Sequence, residues 1–245
     1  MSAFDVTARL YDQINGDQYA PYAAFLKQCF RCARIPVREV LDLGCGTGGI
    51  TVLLAESGFD MVAVDISPEM LSVAKDRKGS ENILYVCQDM RALDLYGTVQ
   101  AAYSSFDCLN YLKKTAELDK VFSLLRNYIE TGGVLVFDVN TLYRYQTVFA
   151  DNSYVYEFGD DMLVWQNHYS PANRTCGFYL TYFQKSDDET YARYDEAQKQ
   201  RYFPQKTILS LLKKNRFSVE GVFGSTDFAP LLETSEKAYY VAVAI

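Results

Sequence analysis

A glycine-rich turn is the part of this 245-residue chain whose composition points most directly to chemistry. Four glycines fall within six positions at the end of the stretch VLDLGCGTGG, residues 40–49. Glycine loses more conformational entropy on folding than other residues, so this density marks a turn that lies close against something. The spacing Gly44-x-Gly46-x-x-Gly49 also matches the dinucleotide-binding fingerprint, which makes NAD the first candidate ligand.

Three carboxylates stand near the ends of strand-like segments around this turn. Asp42, Asp65 and Asp89 follow one another at intervals of 23 and 24 residues, about one strand and one helix each. If the strands are parallel, Asp65 and Asp89 lie at the same carboxyl edge of the sheet, where open α/β sheets bind ligands. The alternative is that each carboxylate caps a helix or a turn.

Each carboxylate suits a different part of an adenosine-containing ligand. Asp65 lies 21 residues after Gly44, the offset expected for a carboxylate that binds ribose hydroxyls, in NAD as in S-adenosylmethionine. Asp42, just before the glycines, would repel a pyrophosphate but could face an ammonium or sulfonium cation. Asp89 could accept a hydrogen bond from the adenine amino group. Asp42 therefore disfavours NAD as the ligand.

The elements that must position these residues alternate between strand and helix. Apolar runs predict strands at residues 37–43, 61–64, 83–87, 99–104 and 134–139. Helical patterns lie between them at 50–57, 68–77 and 116–129, and we expect Gly132 and Gly133 to end the last of these helices. With a helix at 205–214 and strands at 217–223 and 238–244, the pattern predicts a doubly wound, Rossmann-like α/β fold with a mostly parallel seven-stranded sheet.

A tyrosine-rich stretch interrupts this pattern after Asn140. Ten of the 20 tyrosines lie between Tyr143 and Tyr202, in segments with strand-like alternation separated by turn signals. We expect an inserted antiparallel β meander of about four strands, which determines the substrate, forms a dimer surface or is an ordinary sheet with tyrosines on one face. The predicted organisation is an N-terminal helical lid at 1–36, an α/β domain at 37–142 and 204–245, and the inserted subdomain at 143–203.

Three of these segments resemble motifs of the class I S-adenosylmethionine-dependent methyltransferases, of the small bacterial type with a β insertion after the fifth strand. They are VLDLGCGTG at 40–48, DISPEM at 65–70 and CQDM at 87–90. The resemblance implies S-adenosylmethionine as the cofactor and S-adenosylhomocysteine as the product. It places the glycines against the methionine moiety, Asp65 on the ribose, and several side chains around the adenine. The cofactor-binding residues predicted in total are Tyr11, Tyr19, Asp42, Gly44, Gly46, Gly48, Asp65, Ile66, Met70, Asp89, Met90 and Ser105.

The N-terminal run LYDQINGDQYAPY, residues 10–22, resembles the helix and lid of the same family. By that likeness Tyr11 reaches the carboxylate of the cofactor and Tyr19 closes over the site. The alternative is an amphipathic helix that packs Tyr11, Ile14 and Tyr22 on the core.

Candidates for the methyl-acceptor site follow the fourth strand and lie in the insertion. Methyl transfer from a sulfonium requires alignment above all, and a general base only where the nucleophile holds a proton of high pKa. In the resembling family the segment after the fourth strand holds the acceptor, and here it contains Asp107, Asn110 and Tyr111. The single histidine, His168, is a further candidate for substrate binding or base catalysis. Alternatively, Asp107 and Asn110 cap a short helix, and His168 is an ordinary strand residue.

The composition indicates which classes of partner the protein can bind. A net charge of −7 is a poor match for nucleic acid, whose binding usually needs a basic face. We expect neither a membrane span nor a signal peptide, because no run of 18 apolar residues occurs and the N-terminus lacks an apolar core behind a basic start. The six cysteines, including the Cys29-x-x-Cys32 pair, fit ordinary packing in a reducing, cytoplasmic protein without a metal site.

Together these features predict an enzyme that transfers the methyl group of S-adenosylmethionine to nitrogen or oxygen of a small molecule, as a monomer or homodimer. Two other hypotheses keep the cofactor: an acceptor that is RNA or protein, and a non-catalytic protein that only binds S-adenosylmethionine. An NAD-binding oxidoreductase is disfavoured by Asp42 and by the first motif.

Overall fold

A seven-stranded sheet forms the centre of the computed structural model, which describes residues 5–186, 188 and 190–245. In chain order its strands are β1 (Glu39–Leu43), β2 (Asp60–Asp65), β3 (Leu84–Cys87), β4 (Val99–Ser104), β5 (Ile129–Asn140), β10 (Phe217–Phe223) and β11 (Lys237–Ala244). They are ordered β10-β11-β5-β4-β1-β2-β3, and of these strands β11 runs antiparallel to both of its neighbours. The remaining neighbours pair in parallel.

Six α-helices accompany the strands in the described part of the chain: α1 (Asp5–Asn15), α2 (Tyr19–Cys29), α3 (Gly49–Glu56), α4 (Pro68–Asp76), α5 (Thr115–Tyr128) and α6 (Gln205–Lys214). Helix α4 begins as its sequence predicts, since the Ser67 side chain accepts a hydrogen bond from the Met70 amide at 3.1 Å and Pro68 occupies the first turn. Helices α2 and α3 pack on one face of the sheet and α5 and α6 on the other. This doubly wound arrangement confirms the predicted fold class.

A second sheet of four strands lies between β5 and α6 in the sequence. Its strands, β6 (Ser153–Phe158), β7 (Asp161–Ser170), β8 (Thr175–Lys185) and β9 (Tyr191–Arg201), pair antiparallel in consecutive order, as a meander does. One face of this sheet packs against Leu10 of α1 and against Tyr145 and Phe149. The latter two belong to a π-helical segment, Arg144–Phe149, that follows β5. Helix α1 therefore lies against the inserted sheet.

Residues 1–4 of the predicted N-terminal lid lie outside the described residues. No helix within the described ranges has the length and apolar character needed to span a membrane.

The glycine pair at 132–133 does not end helix α5, and that prediction is wrong. The helix ends at Tyr128, and Ile129 is already extended (φ −84°, ψ 122°) and pairs with Val99 of β4. The register then shifts before Val134 pairs with Ala101, so the two glycines lie within β5 at a bulge. A bulge of this kind can place backbone too close to its neighbours for a side chain.

Gly133→Ala tests that close approach. A Cβ atom at this position would lie 2.6 Å from the Gln100 carbonyl oxygen and 2.9 Å from that of Glu130, so the backbone of β5 would have to shift. We expect the free energy of unfolding to fall by about 1–3 kcal/mol, measured by urea denaturation. Gly97→Ala is the control, because a Cβ there meets nothing within 4 Å. Equal stability of the two variants would contradict the packing assigned to the bulge.

Candidate active site

A cavity of about 280 Å³ opens at the carboxyl edge of the parallel strands and extends under the inserted sheet. Its walls come from α1, from the ends of β1, β2 and β4, from the π-helical segment and from β7–β9 and β11. We call one part the glycine end, lined by Gly44, Gly46, Asp65, Ile66 and Met70. The other part, the insertion end, is lined by Asp107, Arg144, Phe149, Trp165, Phe178, Gln200 and Lys237.

The glycine turn adopts backbone conformations that disfavour residues with a side chain, and two of its glycines lie too close to neighbouring residues for a Cβ atom. Gly44, Gly46 and Gly48 have φ angles of +84°, +54° and +75°, the left-handed region that favours glycine. A Cβ atom at Gly44 would overlap the Sγ atom of Cys108, and one at Gly48 would lie 3.0 Å from the Tyr85 hydroxyl. Gly44 and Gly46 line the cavity with backbone atoms, whereas Gly48 is not among the residues that line it.

Asp65 joins the end of β2 to this turn. Its Oδ2 atom accepts a hydrogen bond from the Gly46 amide at 2.8 Å, and its Oδ1 atom accepts one from the Ser67 amide at 2.9 Å. Burial raises the pKa of this carboxyl, and the two amides oppose that rise because they stabilise the charged form. The carboxylate therefore lies on the cavity wall with backbone donors fixing its orientation.

Asp42 lies beneath the turn and does not line the cavity. It is only 1% exposed, and its Oδ2 atom accepts hydrogen bonds at 2.6 Å from the hydroxyls of Thr51 and Tyr103. Burial raises its pKa to about 7, against the lowering effect of these two hydroxyls. Asp42 thus connects β1 to α3 and β4, and direct contact with a cation in the cavity would need a rearrangement.

Asp89 lines the cavity but already has a partner. The Arg91 guanidinium binds its carboxylate and holds its pKa below the usual range, and the Arg91 amide donates to the same carboxylate at 2.8 Å, which caps a 3-10 turn. Met90 and Ser105 also line the cavity, together with the buried Met70 and the half-exposed Ile66.

The N-terminal helices close over the turn through one carboxylate that the sequence reasoning missed. Asp12 of α1 accepts hydrogen bonds from the Thr47 hydroxyl at 2.6 Å and the Tyr19 hydroxyl at 2.7 Å, and it pairs with Arg77 at the end of α4. Arg77 also donates to the Thr47 carbonyl oxygen at 3.0 Å. Tyr11, one residue before Asp12, lines the cavity, whereas Tyr19 packs behind the turn against Gly49.

A buried ammonium organises the insertion end. Lys237, at the start of β11, donates to Asp107 at 2.6 Å and to Asp138 of β5 at 2.8 Å. Asp138 also accepts from the hydroxyl of Tyr22 on α2 at 2.6 Å, and Asp107 accepts from Gln200 of β9 at 2.6 Å. We call these five side chains the Lys237 network. Asp138 was visible in the sequence as a charge inside the apolar strand VLVFDVN, which signals a buried partner.

Both charges of the Asp107–Lys237 pair are stabilised. Burial alone would raise the pKa of Asp107, but the positive charges of Lys237 and Arg144 outweigh it, and the pKa lies below the ordinary value. Burial alone would lower the pKa of Lys237, but the two carboxylates raise it. Asp107 therefore stays ionised, and its lowered pKa makes it a poor general base.

The backbone leading to Asp107 is strained. Phe106 and Asp107 both have φ of +52°, which costs of order 1–3 kcal/mol for each residue that is not glycine. The Asp107 amide donates to Asp138 at 2.9 Å, so the Lys237 network holds this conformation. The Asp107 side chain makes no capping hydrogen bond to the 3-10 turn that follows.

The three other acceptor-site candidates lie in different places. Tyr111 lines the cavity and donates to Gln198 at 2.6 Å. Asn110 is fully buried outside the cavity, where its side chain binds the Arg201 carbonyl oxygen and the Asn140 amide. His168 lies on the far side of the inserted sheet, 69% exposed and 2.8 Å from Asp151, away from the cavity lining.

Comparisons with known proteins give a consistent picture. Residues 40–133 match the methyltransferase domain family. The chain is 32% identical over 239 residues to "Putative methyltransferase YqeM" of Bacillus subtilis (strain 168), covering 96% of this chain and 94% of that protein. A crystal structure of an S-adenosylmethionine-dependent methyltransferase from Clostridium acetobutylicum ATCC 824 superposes with a TM-score of 0.87 at 25% identity, covering 98% of each chain. The sugar N-methyltransferase KedS8 from Streptoalloteichus sp ATCC 53650 shares the fold, with a TM-score of 0.79, 22% identity and coverage of 96% and 92%.

Asp12→Ala should loosen the closure of α1 over the glycine turn. Removing the carboxylate leaves Thr47, Tyr19 and Arg77 without their shared acceptor, at a partly exposed position where such contacts are worth little to moderate energy. We expect the dissociation constant for S-adenosylhomocysteine, measured by calorimetry, to rise about 3- to 10-fold. Asp17→Ala, at an exposed acidic position in the following turn, should leave it unchanged. Equal affinities in both variants would show that Asp12 does not hold the lid.

Between about pH 5 and about pH 8, Lys237→Met should add a pH dependence of stability that the Asp107–Lys237 pair does not give the wild type, because Asp107 loses its contribution only below its unfolded pKa of about 4. At neutral pH it leaves two buried carboxylates without their cation, and we expect a loss of about 3–5 kcal/mol in the free energy of unfolding. In the wild type the lowered pKa of Asp107 contributes stability that is present above its unfolded pKa and is lost as the pH falls. In the variant, protonation of one carboxylate relieves the repulsion.

The deficit of Lys237→Met relative to the wild type should therefore shrink as the pH falls from about 8 to about 5, measured by urea denaturation at each pH. Lys214→Met is the control, because it removes a surface ion pair in which the lysine side chain is 65% exposed. A deficit that stays constant across this pH range would contradict the assigned network.

Proposed function

Because this chain belongs to the class I S-adenosylmethionine-dependent methyltransferases, we propose that it transfers a methyl group to nitrogen or oxygen of a small molecule. The observation that carries the proposal is the single cavity that joins the two ends of the site. The glycine end offers a place for the cofactor, and the insertion end offers an enclosed place for the acceptor. The product in this proposal is S-adenosylhomocysteine.

The residues at the glycine end fit the cofactor. Gly44 and Gly46 line the cavity with backbone atoms only, against which the methionine moiety can pack. Each oxygen of Asp65 accepts one backbone hydrogen bond and keeps a lone pair with which it can accept a ribose hydroxyl. Ile66 and Met70 supply an apolar surface for the adenine. Tyr11 lies above the turn from the lid side.

The reaction that this site supports is an in-line displacement. S-adenosylmethionine supplies an electrophilic methyl group on a sulfonium sulfur, which leaves as a neutral thioether. The acceptor's lone pair forms the new bond to carbon as the carbon–sulfur bond breaks. An amine acceptor then loses its proton to solvent, whereas an oxygen acceptor that reacts as its anion has no proton to lose. The protein's contribution is to hold the nucleophile in line and to exclude bulk water. Asp107 is a poor candidate for a general base because its pKa lies below the ordinary value, and His168 lies outside the cavity.

The walls of the insertion end favour a small acceptor. Phe149, Trp165, Phe178 and Leu180 enclose it on the side of the inserted sheet. KedS8 is named as a sugar N-methyltransferase, so a small-molecule acceptor has a precedent on this fold. The net charge of −7 argues against an RNA acceptor.

Calorimetric titration with S-adenosylmethionine, S-adenosylhomocysteine and NAD tests the cofactor assignment. We expect the wild type to bind the first two and not NAD. Asp65→Ala removes two charge-assisted hydrogen bonds to the ribose in this proposal, which should raise both dissociation constants at least about 30-fold. Asp60→Ala, at the opposite end of β2 and exposed, is the matched control and should bind as the wild type does. Binding of NAD alone, or unchanged affinity in Asp65→Ala, would contradict the proposal.

A further inference from the structure

The insertion end of the cavity contains hydrogen-bond donors that the protein itself does not use. A buried donor without a partner costs free energy, so such groups indicate where a ligand binds. Two of them, Arg144 and Trp165, line the same cavity. Neither was singled out as a binding residue by the sequence.

Arg144 is a partly buried cation without a hydrogen-bonded partner among the described residues. Its side chain is 23% exposed, and its guanidinium lies over the Phe149 ring, with Cζ 4.8 Å from the ring centroid. It forms an ion pair with Glu236, but the Nε to Oε2 distance is 3.6 Å and Glu236 is 52% exposed. This attraction is screened by solvent, and the buried Nε atom remains unsatisfied within the described part of the chain.

Trp165 supplies the second unused donor. Its indole Nε1 atom is buried and has no hydrogen-bond partner among the residues described. The ring packs against Phe149 and Phe178, with centroid distances of 6.4 and 5.6 Å, in an otherwise apolar wall. A buried indole N–H usually finds an acceptor.

The acceptor atoms around these donors already accept hydrogen bonds from other groups. Both oxygens of Asp107 accept hydrogen bonds, one from Lys237 and the other from Gln200. Asp138 accepts from Tyr22, Lys237 and the Asp107 amide. The Gln200 oxygen accepts from Asn140 and Tyr145, at 2.9 Å each.

The donors and charges at the insertion end determine which ligands fit there. The insertion end offers unused donors, and its two cations, Lys237 and Arg144, stand beside the two carboxylates of the Lys237 network, so its charges are close to balanced. A ligand that brings acceptor atoms and negative charge would satisfy Arg144 and Trp165 together, and a guanidinium is the side chain best suited to a planar or phosphate anion. A cationic ligand would find no unpaired carboxylate in the Lys237 network, because Lys237 already pairs with both Asp107 and Asp138.

We propose that the methyl acceptor carries a carboxylate or phosphate on an apolar body, and that Arg144 binds this anion while Phe149, Trp165 and Phe178 hold the body. This inference rests on the proposed function, because it identifies the insertion end as the acceptor site. Arg144 is a specificity-determining residue in this account, and it acts in binding.

The single tryptophan of the chain provides a direct readout, because Trp165 lies in the proposed subsite. Its fluorescence is followed while the purified protein is titrated with phenylacetate, phenyl phosphate, benzyl alcohol and phenethylamine, with and without S-adenosylhomocysteine. These probes share a phenyl body and differ in charge. The titrations are repeated on Arg144→Gln, on Arg144→Lys and on Arg193→Gln. Arg193 is the control, since it is 62% exposed and pairs with Asp195 on the same sheet.

We expect the wild type and Arg193→Gln to bind one or both anionic probes more tightly than the neutral and cationic ones. Preference for phenylacetate would identify a carboxylate, and preference for phenyl phosphate a phosphate. Arg144→Gln should weaken anion binding about 10- to 100-fold, and Arg144→Lys, which keeps the charge but loses the planar fork, should weaken it less. Thermal melting of each variant checks folding, and Arg144→Lys serves as the test if Arg144→Gln does not fold.

Three results would overturn the inference: equal or tighter binding of benzyl alcohol or phenethylamine, anion binding that does not change in the Arg144 variants, or no response to any probe. The proposed function fails separately, because it depends on S-adenosylhomocysteine binding measured by calorimetry on the same wild-type protein. Loss of cofactor binding with retained, Arg144-dependent anion binding would contradict the cofactor assignment and keep the anion subsite.

Discussion

The position of the Lys237 ammonium between Asp107 and Asp138 is the interaction on which the insertion end of the cavity depends. The ammonium joins the segment after β4, the end of β5 and the start of β11, and Tyr22 and Gln200 extend the contact to α2 and β9. Isolated charges at this depth would be costly, because desolvation of an unpaired ion outweighs most other local contributions. Their mutual pairing lets two adjacent residues, Phe106 and Asp107, keep left-handed backbone conformations beside the site.

The two ends of the cavity differ in whether backbone or side-chain atoms line them. The glycine end consists largely of backbone, fixed by left-handed glycines and by a carboxylate that accepts backbone hydrogen bonds. The insertion end consists of side chains from the second sheet and the π-helical segment. A backbone cradle tolerates few substitutions, whereas side chains on a sheet can change without altering the fold. The fold can therefore keep one cofactor while its acceptor end varies.

The sequence predicted the glycine end better than the insertion end, for a physical reason. Asp65 was predicted to lie at the ligand-binding edge because it ends β2. This strand pairs in parallel with β1, and parallel strands end at one edge of the sheet. Lys237 was missed because β11 is antiparallel, so its first residue reaches that edge, opposite Asn140 of β5. Arg144 was missed because a π-helical segment has no clear sequence signature. Asp42 was placed at the correct strand end, but the depth at which it is buried follows from packing that no local pattern shows.

The boundaries of helices and strands, and the positions of single side chains, show the same limit of prediction from the sequence. The strand Phe217–Phe223 and the helix Gln205–Lys214 coincide with their predicted ranges, because apolar periodicity fixes both ends. The glycine pair at 132–133 was misplaced, because the same glycines suit a helix end and a bulge. His168 was a candidate because of its chemistry alone. It lies outside the cavity because it is on the other face of the inserted sheet.

A crystal structure of the protein with S-adenosylhomocysteine would test the central claim, that one cavity holds the cofactor at the glycine end and the acceptor at the insertion end. The account predicts ribose hydroxyls within hydrogen-bonding distance of Asp65. It also predicts a sulfur atom directed towards the space between Lys237, Arg144 and Trp165. A ligand bound elsewhere, or one whose sulfur points away from the insertion end, would contradict it.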